Sequence, residues 1–290
     1  MYFLKLKGNE LAEPEARALI ETYEAKLIKK ACDDILFTNK KLPFNRLAYS
    51  RFACKTFRKS TDLGQYKVIG SRKYELNLPK ELKGKVNLKT SENIIRVVEC
   101  EKPIAGIQLW ERDSLNINPP FKPYISLKPE LARCLVNLCR VKKGESIMDP
   151  FCGSATTLMQ AGFMNIKCTG VDADSKMILG SALNMNHFNI NANLIQSDIK
   201  NFKPAKKYDG IVTDLPYGRS SKLFGGEKEE LYDFSLKKFS DWLKPKKFCV
   251  VVANEKLQCS ELKLEEVIKV KVHKSLNRFV HIFQNRKVFK

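Results

Sequence analysis

From Pro129 onward helical and strand-like segments alternate, and this alternation predicts an α/β fold built on a mostly parallel, doubly wound sheet. Two further observations complete the fold class. The last two strand-like runs are joined by only a few residues, which predicts a C-terminal antiparallel hairpin at the sheet's edge. Ahead of a run with three prolines, Leu115 to Pro123, the texture is different: early helical spacing and then short strands, the pattern of a smaller α+β domain. The expected division is an N-terminal domain at 1–114, a linker at 115–126 and the larger domain at 127–290.

In the first domain, Ala16, Leu19, Ile20, Tyr23 and Leu27 have helical spacing and predict a helix over Glu13 to Lys30, with Pro14 tolerated in its first turn. A second helix is expected from Arg46 to Lys59. Strands are expected at Tyr74 to Leu78, Val86 to Leu88, Ile94 to Cys100 and Ile104 to Trp110. In the second domain, Pro129 to Arg140 reads as a helix opened by proline. Strands follow at Ser146 to Phe151, Lys167 to Val171, Asn193 to Gln196, Gly210 to Thr213 and Phe248 to Ala253, interleaved with helices at Thr156 to Gly162, Lys176 to His187 and Glu227 to Leu243. The closing hairpin is expected at Val267 to Val272 and Arg278 to Phe283.

The 290 residues are 43% hydrophobic and carry a formal net charge of +20, an excess that points to a polyanionic partner. Lysines interrupt Met1-Tyr2-Phe3-Leu4-Lys5-Leu6-Lys7, and no segment approaches the ~20 apolar residues that span a bilayer. A cytoplasmic protein acting without membrane, and as a monomer, is expected. The nine cysteines are scattered with no Cys-x-x-Cys pair, so the expectation is buried free thiols rather than a disulfide framework or zinc site. Three widely spaced histidines give no metal-ligand pattern.

Asp149-Pro150-Phe151-Cys152-Gly153-Ser154 falls where a strand hands over to a helix, so backbone N–H groups face a ligand and Gly153 lets the chain pass close to it. A single glycine is not the multi-glycine pyrophosphate fingerprint, and a nucleoside donor without phosphates fits better. Asp172, in Gly170-Val171-Asp172-Ala173-Asp174, ends the next strand, where a carboxylate can accept from both ribose hydroxyls. Asp198 ends the one after and suits an adenine amine. Asp214-Leu215-Pro216-Tyr217 ends the fourth. There the Asp214 carboxylate and the Leu215 carbonyl can take the two hydrogens of an exocyclic base amine, Pro216 stiffens the turn, and Tyr217 offers a face for stacking. Together these residues read as an S-adenosylmethionine-dependent amino methyltransferase. Arg51, Lys55, Arg58, Lys59, Arg72 and Lys73, interleaved with Phe52 and Phe57, form a candidate phosphate-tracking face.

Pro120 to Arg133, then Asp149 to Ser154, then Asp214-Leu215-Pro216-Tyr217-Gly218-Arg219-Ser220, resemble the THUMP-domain tRNA guanine-N2 methyltransferases, with the greatest likeness to the archaeal branch acting on guanosine-10. The resemblance is strong from about Pro119 to Glu255 and weaker ahead of it. It implies a Rossmann-like class I methyltransferase domain joined to a THUMP-like tRNA-binding domain. It also implies cofactor contacts from Asp149, Gly153, Asp172 and Asp198 with the Tyr124 turn beside them, and N2-methyl- and N2,N2-dimethylguanosine as products; Phe151, Cys152 and Ala173, next to these positions, are expected to share in cofactor binding. Ala155 stands where many relatives have glycine, Leu215 replaces a commoner proline, and the N-terminal part is short. Alternatives are a guanosine-6 or adenine-N6 enzyme, and a tRNA-binding protein without activity.

Overall fold

The computed structural model describes residues 1–113, 115, 117–124, 126–216, 228–273 and 276–287. They form two compact units, Met1–Ser114 and Leu115–Lys290.

The first unit runs β1 (Tyr2–Leu6), α1 (Ala12–Thr22), β2 (Leu27–Ala31), β3 (Ile35–Thr38), β4 (Ser50–Lys55), β5 (Asp62–Ile69), α2 (Arg72–Asn77), β6 (Lys83–Val86), β7 (Asn93–Val98) and β8 (Ile104–Glu111). Its eight strands share one sheet of order β2-β3-β1-β4-β8-β7-β5-β6. Helix α1 buries Ala12, Ala16, Leu19 and Ile20 against Leu4, Leu6, Leu36 and Ala53 on one face. Glu15 is fully buried beneath it, and its two oxygens accept from the Ala48 and Tyr49 N–H groups at 2.8 Å, so the carboxylate is not left unmet.

Several N-terminal expectations are corrected here. The first helix stops at Thr22, because Glu24 turns left-handed (φ 52°) and the Ala25 N–H closes back on the Ile20 carbonyl; Leu27 then begins β2. Arg46 to Lys59 is not a helix. Its centre is β4, hydrogen-bonded between β1 and β8, so pairing on both sides overrides the local pattern. Tyr74 to Leu78 is helical rather than extended, and Tyr74 and Leu78 pack on the same small cluster as Tyr66 and Val68. Cys32 and Cys100 form a disulfide across 68 positions, with Cα atoms 6.3 Å apart. Strand packing brings them together beside Phe3, Phe37 and Cys54, which spacing alone does not reveal. The other seven cysteines are free.

The second unit runs α3 (Pro129–Leu138), β9 (Ser146–Asp149), α4 (Thr156–Phe163), β10 (Lys167–Asp172), α5 (Ser175–His187), β11 (Ala192–Gln196), β12 (Tyr208–Asp214), α6 (Lys228–Trp242), β13 (Leu243–Ala253), β14 (Leu262–His273) and β15 (Leu276–Asn285). The sheet order is β11-β10-β9-β12-β13-β15-β14. Strands β9 to β13 are parallel, and β15 enters antiparallel between β13 and β14. Leu231, Leu236, Phe239 and Trp242 of α6 cover one face against Met148, Ile211 and Val251. Among the described residues no helix is long and apolar enough to cross a membrane.

Candidate active site

Strand order reverses between β9 and β12, and the crevice at such a switch point, outside the carboxyl ends of the strands, is where open α/β sheets take ligands. A cavity of about 470 Å³ lies there. Asp149 ends β9, Asp172 ends β10 and Asp214 ends β12, and all three line it. Of its described charged lining residues four are carboxylates, the fourth being Asp174, and one is a guanidinium, Arg278. That balance suits a cationic ligand such as a sulfonium and opposes a polyphosphate.

The loop after β9 is held on every side. Gly153 has φ +51°, and a side chain there would meet nothing within 4 Å, so its backbone opens directly into free space. Its N–H donates to Asp172 Oδ2 at 2.9 Å, and its carbonyl accepts from the Ser181 hydroxyl at 2.5 Å. Asn184 Nδ2 donates to both the Ser154 and Phe121 carbonyls, tying the loop to the segment that approaches α3. Ala155, at the N-cap of α4, is left-handed at φ 62°, a conformation that glycine would adopt without strain.

Asp149 is almost fully buried and accepts from the Thr213 hydroxyl at 2.8 Å and from the Phe151 N–H. Burial raises its pKa to about 7, the hydroxyl and amide opposing and the charges of Asp172 and Asp214 adding to the rise. Burial also raises Asp172, against the N–H groups of Asp174 and Gly153. The Cys152 thiol is pushed well above its ordinary value by burial and by Asp149 and Asp172, which keeps it protonated and removes it as a nucleophile.

Asp214 is the least satisfied of the acids. Its Oδ1 is shielded from water with no hydrogen-bond partner among the described residues, while Oδ2 lies 3.6 Å from Arg278 Nη2. Burial raises its pKa to about 6, against the pull of Arg278. The turn that follows is fixed: the Leu215 N–H donates to the Val252 carbonyl, and the Tyr232 hydroxyl of α6 donates to the Pro216 carbonyl at 3.0 Å. Tyr217 lies outside the described residues.

The cavity thus brings together Tyr124, Asp149, Phe151, Cys152, Gly153, Asp172, Asp214, Leu215 and Pro216. Ala173 and Asp198 are not among its lining residues, and Asp198 instead accepts from the Lys200 N–H in its own turn. Arg51 and Lys55 are exposed on β4, Arg58 and Lys59 follow it, and Arg72 and Lys73 open α2; Lys59 pairs with Glu81 at 2.5 Å. Sequence reasoning missed Arg278. Its signal is position: it shares the buried alternation of Val280 and Ile282, and an arginine in the inward register of a core strand needs a partner. Among the described residues no group of three or more His, Cys, Asp or Glu could hold a metal.

Residues 120–282 match the family model described as RMKL-like, methyltransferase domain. The chain is 38% identical over 164 residues to a Methanothermococcus thermolithotrophicus protein named "Probable tRNA (guanine(10)-N2)-dimethyltransferase", covering 53% of this chain and 98% of that one. It is 31% identical over 234 residues to the tRNA (guanine(10)-N2)-dimethyltransferase of Methanocaldococcus jannaschii, covering 72% of this chain; it spans only 65% of that relative's length. The crystal structure of TrmN from Thermus thermophilus superposes with a TM-score of 0.52 at 16% identity, covering 98% of this chain and 99% of that one, a likeness of fold. The acidic cavity at the switch point, the reversed last strand and the match over more than half the chain agree: this chain belongs to the RMKL-like methyltransferase-domain family.

Proposed function

We propose that the chain is a tRNA guanine-N2 methyltransferase that uses S-adenosylmethionine to methylate the exocyclic amine of guanosine-10. The observation that carries this reading is Asp214, a buried acid that lines an acidic cavity and whose Oδ1 has no hydrogen-bond partner among the described residues, because such an acceptor calls for a donor and an exocyclic amine provides one. The names borne by the archaeal relatives support the choice of guanine and of tRNA.

Asp172 and the Gly153 backbone are the groups that would hold the donor's nucleoside, and the carboxylate-rich wall favours its positive charge. When bound, the donor would supply an electrophilic methyl to the amine nitrogen, with the carbon–sulfur electron pair left on sulfur. The chain's own work is positioning. The ionised Asp214 carboxylate accepts one amine hydrogen and the Leu215 carbonyl the other, which turns the nitrogen lone pair out of conjugation with the ring. Once methylated the nitrogen is cationic, and its proton passes to Asp214 or to water; a carboxylate with a pKa of about 6 is a better acceptor than an ordinary one. The N-terminal unit, with its exposed Arg51, Lys55, Arg58, Lys59, Arg72 and Lys73, is the THUMP-like part that grips tRNA in the cytoplasm.

The test is methylation of tRNA transcripts with labelled donor, followed by mass spectrometry of the nucleosides and mapping of the modified position. N2-methyl- or N2,N2-dimethylguanosine at position 10 is expected, and Asp214→Ala should lower turnover by about a hundredfold or more while tRNA affinity stays within about threefold. Methylation of DNA alone, or near-normal turnover by Asp214→Ala, would overturn the assignment.

A further inference from the structure

Strand β15 runs against its neighbours, so it meets the site with its beginning where β9, β10 and β12 meet it with their ends. Asp214 of β12 pairs with Val252 of β13, and Val252 pairs with Val280 of β15, so the three side chains share one face of the sheet. Arg278 lies two residues before Val280, on that same face and one step further toward the rim. Its side chain is nearly buried, lines the same cavity as Asp214, and puts Nη2 3.6 Å from Asp214 Oδ2.

We propose that Arg278 is a positioning residue of the amine clamp: reaching past β13, its guanidinium holds the Asp214 carboxylate ionised and in the cavity wall, so that the clamp accepts hydrogens at neutral pH. This rests on the reading of Asp214 as the amine acceptor. The surroundings of Asp214 otherwise favour the protonated form, a poorer acceptor. From β9 the Asp149 carboxyl faces it, from β10 and the start of α5 Asp172 and Asp174 line the same cavity, and burial penalises its charge. A protonated Asp214 has one oxygen turned into an O–H donor facing an amine that is itself a donor, and its remaining carbonyl oxygen accepts more weakly than a carboxylate and cannot take the proton that the methylated amine releases, so the clamp is weakened. Among the described charged residues lining the cavity, Arg278 is the one cation. Arginine suits the role because it stays charged in a buried setting and its long planar fork can reach past a strand.

The test is the pH dependence of kcat/KM for the wild type, Arg278→Gln and Arg278→Lys, with Asp214→Ala and Asp214→Asn as controls. The ratio kcat/KM depends on the ionised acid of the free enzyme, so it falls as pH drops through the Asp214 pKa, and in the wild type that limb should lie near 6. Arg278→Gln should move the limb up by about one unit, lowering kcat/KM about twofold at pH 7 and about tenfold at pH 5 and restoring nearly all of it by pH 9. Arg278→Lys should keep the limb within about half a unit of the wild type. A loss in Arg278→Gln that is the same at every pH, as from misplacing β15, or an unmoved limb, overturns the proposal. If Arg278→Gln fails to fold, the lysine variant decides, since a limb raised by a full unit despite the retained positive charge shows that charge is not what matters. Carbon-13 NMR of the aspartate carboxyls, with the Asp214 resonance identified by its loss in Asp214→Asn, reads the same midpoint without substrate. A near-normal rate in Asp214→Ala, which has no side-chain acceptor, would sink the clamp itself, whereas an inactive Asp214→Ala beside an unshifted Arg278→Gln would sink only the role of Arg278.

Discussion

Thr213 shows how much the site depends on single hydroxyls. It is fully buried, and its Oγ1 donates to Asp149 Oδ1, one of two described hydrogen bonds that stabilise a carboxylate with little water around it. The folded pKa of Asp149, about 7, lies above its unfolded value, so the folded state holds the proton more tightly. Stability from this group is therefore fully present below the unfolded pKa and is lost as pH rises through about 7. Thr213→Val keeps the shape and removes the donor, which raises the folded pKa further. The expected cost is about 1–2 kcal/mol at pH 8, where the carboxylate is ionised, and less at pH 5.5, where it is not. Urea denaturation at the two pH values measures both, and a cost independent of pH would mean that the hydroxyl serves packing alone. Part of this scale is legible in the sequence. Asp149, Gly153 and Asp214 stand beside their own turns, in motifs whose chemistry can be read locally. Arg278 and Thr213 are not legible this way, because their partners sit on other strands and emerge only with sheet order.

At the scale of elements, the second unit is easier to read than the first for a physical reason. Its parallel strands are buried between helical layers, so β9 and β12 are covered along nearly their whole length rather than at alternate residues, and they stand between clear helical periods. In the first unit, β4 hides its alternation: Phe52 pairs with Lys5 and Ser50 with Leu6, leaving Arg51 as an extra residue that breaks the period of two. Tyr74 and Leu78, four apart, belong to one face of a helical turn and were open to either reading. Helix α5 makes a sharper case. Gly180 sits in its interior, where glycine costs about 1 kcal/mol relative to alanine. The reason is Phe121, whose ring lies 2.1 Å from where a Cβ would be, while its backbone N–H and carbonyl both bond to Asn184. This seats the segment that carries Pro123 and Tyr124 to the cavity. Gly180→Ala should therefore destabilise the protein by about 1–2 kcal/mol despite the better helix propensity, because overpacking outweighs it. It should also weaken donor binding severalfold by calorimetry. A more stable variant with unchanged affinity would show that Phe121 yields freely.

For the whole molecule the governing number is the net charge of +20, which makes any tRNA complex strongly dependent on salt. Not every lysine contributes equally. Lys59 is paired with Glu81, both largely exposed, and such a pair adds about 0–1 kcal/mol to folding. For binding its effect is opposite in sign, since Glu81 neutralises a charge that a phosphate would otherwise meet. Arg58 is exposed one position earlier on the same segment. If this segment contacts the RNA backbone, Arg58→Ala should reduce the slope of log affinity against log salt by about one, and Lys59→Ala by less, because that charge is already partly cancelled. Glu81→Gln should do the reverse: it frees Lys59, steepens the slope and tightens binding at low salt, while leaving the melting temperature nearly unchanged. Fluorescence titrations of a tRNA transcript across a salt series give all three slopes. Equal slopes for the wild type, Arg58→Ala and Glu81→Gln would mean that this segment does not touch RNA, and the gripping surface would then have to be sought around Arg72 and Lys73 at the opening of α2.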